Sequence, residues 1–79
     1  MRVARTHDHD GTLLMHPLSE ISTGFSMVRS ADEALAQRRS AAMVAAAQTS
    51  LAAGLDLMLQ GAQSARRLAA KGRYTPLSD

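Results

Sequence analysis

Apolar residues recur along this chain at helical spacings, not in the alternation of strands. Leu18, Ile21, Phe25 and Val28 follow one another at steps of three and four, which predicts a short helix over about 18–28 with Gly24 as a point of bending. Ser30-Ala31-Asp32-Glu33 then has the form of a capping box. The Ser30 hydroxyl would accept from the Glu33 amide, the Glu33 carboxylate would return to the Ser30 amide, and both acids would face the positive end of a new helix. Near the other end, Arg66, Arg67 and Lys71 suit the negative end of a helix. Gly72 reads as a left-handed terminator, with Pro76 beyond it. These signals predict a second, long alanine-rich helix over about 31–71.

Two apolar seams run along that segment. Val44, Leu51, Met58 and Ala65 recur every seven residues, with Leu55, Ala62 and Ala69 between them. Beside this seam lie Met43, Ala47, Ser50, Gly54, Leu57, Gly61, Ser64 and Leu68, which carry both interior glycines. Thr49, Asp56, Gln60, Gln63, Arg67 and Lys71 form the remaining, solvent-facing stripe. An unbroken helix over 31–71 would be roughly 60 Å long, and its two faces would require other molecules to cover them. The alternative is a helical hairpin turning near Gln48-Thr49-Ser50 or Gly54, but no Pro or Asn-Gly turn stands there and both seams keep phase through these positions. The expected class is therefore all-α. Residues 1–17 are expected to be a flexible arm, 18–72 the helical segment and 73–79 a tail.

Composition sharpens this picture. A chain of 79 residues buries a low fraction of its surface, and this one has a single Phe, a single Tyr, no Trp and no Cys. Much of its 46% hydrophobic content is alanine, which gains little on burial, so association is the expected source of stability. Glycine costs about 1 kcal/mol relative to alanine inside a helix, so glycines seven apart on one seam point to close helix approach. The candidate packing residues are Val44, Ala47, Leu51, Gly54, Leu55, Leu57, Met58, Gly61 and Leu68, and the expected partners are further copies of the chain or other helical proteins.

The charge is uneven. Residues 18–36 hold Glu20, Asp32 and Glu33 against Arg29, whereas residues 37–73 hold Arg38, Arg39, Arg66, Arg67, Lys71 and Arg73 against Asp56. Arg38, Arg39, Arg66, Arg67 and Lys71 are candidate contacts to anions or nucleic acid, the less favoured reading because the two arginine pairs would lie about 42 Å apart on one helix. The start of the chain has neither the apolar run of a cleavable signal nor the composition of a transit peptide, which leaves a cytoplasmic location or a place in an assembled bacterial or viral structure. Ala41–Leu59 is apolar, but Gln48, Thr49, Ser50, Gly54 and Asp56 interrupt it, so no membrane span is expected.

Asp8-His9-Asp10-Gly11-Thr12 resembles the first motif of the haloacid-dehalogenase phosphohydrolases, in which the first Asp is the nucleophile and the second an acid/base beside magnesium. That chemistry also needs a later Lys and a later acidic pair on an α/β sheet, and the acids after Asp10 fall mainly on helical segments. No catalytic residue and no cofactor are assigned. His7, Asp8, His9, Asp10 and His16 have metal-binding chemistry without a spacing that fixes a geometry, so no metal site is assigned either. From Ile21 onward, the order Ile21, Ser26-Met27, Ser30, Leu35, Val44, Gly54 and Leu57-Met58-Leu59 resembles the short flagellum-associated motility proteins of bacteria. That resemblance implies a small helical component of a surface apparatus, such as a flagellum or secretion system. The expected function is that of a non-enzymatic assembly subunit.

Overall fold

The computed structural model describes residues 5–7 and 13–77, with side chains from 15 to 77. A strand β1 (Arg5–His7) pairs antiparallel with β2 (Leu13–Met15), in the register Arg5 with Met15 and His7 with Leu13. Two helices follow, α1 (Pro17–Gln37) and α2 (Ala41–Ala70), folded back on each other as an antiparallel hairpin. The chain is thus predominantly α-helical, in the hairpin arrangement.

The helix boundaries differ from the expected ones. α1 runs without interruption through Gly24, and Ser30 lies exposed within it, so the Ser30–Glu33 capping box is not a helix start. The expected unbroken helix over about 31–71 is divided between α1 and α2, and Gln48, Thr49, Ser50 and Gly54, the turn positions of the alternative hairpin, all lie inside α2. The reversal occurs at Arg38-Arg39-Ser40. Arg38 takes the left-handed conformation, with φ 48° and ψ 47°, and its N–H donates to the Ala34 carbonyl, ending α1. That conformation costs a non-glycine residue roughly 1–2 kcal/mol. Ser40 is extended, and its hydroxyl accepts from the Met43 N–H at 3.1 Å, starting α2. Arg38 is not a conventional turn marker, and the Ser40 cap lacks the acid three residues on that Ser30 has, which is why the sequence pattern passes through them.

The other two helix ends are also closed with specific hydrogen bonds. At the far end of α2, the Gly72 N–H donates to Ala69 and the Arg73 N–H to Leu68, with Gly72 at φ 68°, the double closure expected of a left-handed glycine terminator. At the start of α1, His16 is 3% exposed. Its Nδ1 accepts from the Leu18 N–H at 3.1 Å and its Nε2 lies 2.8 Å from the Thr75 carbonyl oxygen. A carbonyl only accepts and an amide N–H only donates, so the ring is neutral with the proton on Nε2. Tyr74 packs edge-on against it at 5.5 Å. The imidazole therefore caps α1 and ties the segment after α2 to it. His16→Ala should lose both functions, at about 1 kcal/mol for the cap alone, whereas His16→Asn should keep the cap and release the tail. Thermal unfolding reads the first effect and the rate of proteolysis after Tyr74 the second.

Candidate functional site

The two helices meet through their smallest residues. The buried positions of α1 are Pro17, Gly24 and Ala31, those of α2 are Ala47, Gly54 and Gly61, and both sets recur every seven residues. They are also symmetric about Arg39: Ala31 and Ala47 lie 8 residues from it, Gly24 and Gly54 15, Pro17 and Gly61 22. A Cβ on Gly24 would lie 2.5 Å from the Gly54 carbonyl oxygen, and one on Gly54 would lie 2.8 Å from the Gly24 oxygen. One on Gly61 would meet the Pro17 oxygen at 2.6 Å. Backbone thus abuts backbone at these levels, which only glycine permits. The three interior glycines forgo about 1 kcal/mol each of helix propensity, and the close approach they allow is the compensating term.

This contact assigns the expected packing residues to different surroundings. Ala47, Gly54 and Gly61 face α1 of the same chain, Val44, Leu51, Leu57, Met58 and Leu68 are half-buried beside it, and Leu55 is exposed. The glycine seam is consequently occupied within the hairpin. What stays open lies to the side.

An antiparallel helix pair has a local two-fold axis through its central contact, so residues at equal offsets from Gly24 and Gly54 share one face of the hairpin. At offsets of −3, +1 and +4 stand Ile21 with Leu51, Phe25 with Leu55, and Val28 with Met58. All six are apolar. Leu18 and Leu59 extend the same face. Phe25 is 51% exposed, Leu55 50%, Leu59 57% and Leu18 41%, and no large side chain among the described residues is fully buried. At the opposite offsets stand Met27 with Leu57, Thr23 with Ala53, and Glu20 with Ser50, and on this side opens a groove of about 410 Å³ lined by Thr23, Ser26, Met27, Ser30, Ala31 and Ser50. One side of the hairpin mixes hydroxyl and apolar groups, and the other is apolar and open to solvent.

Leu18, Phe25 and Leu59 of this face are not among the expected packing residues. Leu18 and Phe25 stand in the period assigned to a short separate helix and Leu59 in neither seam of the long one, which hid their alignment across the two helices. The symmetric placement of Pro17, Gly24 and Ala31 against Ala47, Gly54 and Gly61 about residue 39 was a signal available in the chain.

The candidate anion contacts remain in two groups. Arg38 and Arg39 lie at the hairpin turn, Arg66, Arg67 and Lys71 near the opposite end, and all five are exposed. Arg67 donates to the Ser64 hydroxyl at 3.4 Å. By length and composition α2 is able to cross a membrane. Its polar residues Gln48, Thr49, Asp56, Gln60 and Gln63 are all exposed. Among the described residues no group of three or more His, Asp or Glu side chains is placed to hold a metal ion, and His16 uses both ring nitrogens within the fold. Asp8, His9 and Asp10, with the rest of the dehalogenase-like motif, lie outside the described residues. No protein-family model, curated protein or solved structure matches the chain.

Proposed function

We propose that this protein is a non-enzymatic helical assembly subunit, which associates by helix–helix contacts with further copies of itself or with other helical proteins of a larger apparatus. The observation that carries this reading is the apolar face centred on Phe25 and Leu55. A hairpin whose buried contact consists of Gly, Ala and Pro gains little from that contact, while its largest apolar side chains stand half in water. Covering them supplies the stabilisation that the hairpin interior lacks. The resemblance of the residue order from Ile21 onward to flagellum-associated motility proteins would place it in a surface apparatus.

The test is the molar mass of the purified chain by light scattering across a concentration series. The expected result is a discrete multiple of the 8.4 kDa chain mass, reached by the micromolar range. A mass that stays at one chain up to near-millimolar concentration would remove self-association. Salt-sensitive binding to nucleic acid that depends on Arg66 and Arg67 would instead favour the basic ends as the functional surface.

A further inference from the structure

Building on that reading, we infer that the apolar face is covered by the same face of a second copy, with the two hairpins running in opposite directions to form a four-helix bundle. The size of the face fits this occupant. The paired stretch of α1 has 21 residues, about 31 Å at 1.5 Å per residue, and two helices 8–10 Å apart present a surface roughly 20 Å wide. The whole side of the hairpin is thus on the order of 600 Å² per copy, or about 1,200 Å² in total, near the roughly 1,000 Å² a specific interface requires, with the apolar residues from Leu18 to Val28 forming its centre over about 15 Å and polar residues its rim. The face is also self-complementary in chemistry. Ile21, Phe25, Val28, Leu51, Leu55 and Met58 are all uncharged, so a copy laid on it buries no ionised group at its centre.

The direction follows from charge. Because the six central residues obey the local two-fold axis, parallel and opposed hairpins make nearly the same apolar contacts. Only the ends distinguish them. The open end carries exposed Arg66, Arg67, Lys71 and Arg73 beside Glu20, and the turn end Arg29, Arg38 and Arg39 beside Asp32 and Glu33, so both ends are net positive and the open end the more so. Parallel copies would bring eight cations together at one end. Opposed copies, crossing at the level of Gly24 and Gly54, bring the Asp32 of one copy, 8 residues from Gly24, level with Ala62 of the other. Arg66 stands four residues, or about one turn, beyond that level and is within reach of the acidic pair.

The chain contains no cysteine, so single thiols introduced by Asp32→Cys and Arg66→Cys, at exposed positions, report the direction. One variant is labelled with nitrogen-15, the two are mixed in denaturant and refolded together, and a short bismaleimide cross-links the dimer. The expected product is mostly mixed-isotope, joining one variant to the other, and its yield falls at high salt. Cross-links mostly between like isotopes would establish parallel hairpins and overturn the inference, while the assembly reading stands. A dimer by light scattering that gives neither product would place the interface elsewhere and overturn it as well. A single-chain mass with no cross-link, or uptake by anionic phosphatidylglycerol vesicles that requires Phe25, would overturn the inference together with self-association, leaving another helical protein or a lipid surface as the occupant.

Discussion

Gly54→Ala is expected to destabilise the hairpin even though alanine is the better helix former, and leucine at Gly24 and Gly54 together is expected to separate the helices. In an isolated helix, Gly→Ala gains about 1 kcal/mol. Here the added Cβ at position 54 would stand 2.8 Å from the Gly24 carbonyl oxygen and 3.0 Å from Met27 Cβ and Val28 Cγ2. The nearest obstacle is backbone, which yields only if α1 moves away along its length. Overpacking of this kind costs typically 1–3 kcal/mol where side chains are free to adjust, and more where they are not. For the double leucine variant a loss of at least about 3 kcal/mol is expected, a large fraction of the stability of a small domain. The midpoint of thermal unfolding, followed by helix ellipticity, reads both effects. A higher midpoint for Gly54→Ala would mean that the helices do not approach as closely as the Gly24–Gly54 contact requires. Gly72 is the control, since a side chain there meets nothing within 4 Å and only the backbone φ of 68° opposes it, at roughly 1–2 kcal/mol.

The second large effect concerns the face that the hairpin leaves open. Phe25→Glu combined with Leu55→Glu is expected to convert the assembly to single chains whose helices melt at a lower temperature than those of the parent. Both side chains are about half exposed in the hairpin, so its own packing loses little. In an opposed dimer the same positions lie near the two-fold axis, where four carboxylates would be buried without partners. Complete burial of a Phe or Leu side chain contributes about 1.5–3 kcal/mol. Loss of the remaining half at four positions, with the cost of desolvating the acids, corresponds to at least about 4 kcal/mol, or roughly a thousandfold in dissociation constant. Thr49→Glu with Gln60→Glu, on the solvent-facing stripe, adds the same charge and is expected to leave the mass unchanged. Sedimentation of the two double variants beside the parent chain decides the matter. An unchanged mass for the Phe25 and Leu55 variant would exclude this face as the interface.

Much of the fold was legible in the residues. Helical spacing gave an all-α chain. Gly72 after Arg66, Arg67 and Lys71 marked the end of α2, because a left-handed glycine with the carbonyls before it is a local device that needs no distant partner. Small residues at every seventh position marked the tightest helix contact, because only they allow backbones to meet. The partner in that contact was marked only by the long-range symmetry of Pro17, Gly24 and Ala31 about Arg39, which no local signal reveals. Ser30 with Glu33 has the stronger capping pattern, yet it lies inside α1, while Ser40, without an acid at its third position, begins α2. Local capping energies of about 1 kcal/mol compete with each other, and the pairing of two whole helix faces outweighs them. The candidate site followed the same rule. Gly54 and Gly61 were identifiable as packing residues, but only the fold shows that Gly24 and Pro17 of the same chain occupy them.

What the sequence determined by itself, then, is the helical class, the helix end at Gly72 and the presence of a stripe made for close approach, all of which follow from backbone conformation and period within one segment. The tertiary structure decided where the chain reverses and which apolar residues remain outside. Both depend on the register between α1 and α2, in which Gly24 meets Gly54, and that register is set by the summed contact along about 31 Å of paired helix, a quantity no local stretch of residues contains.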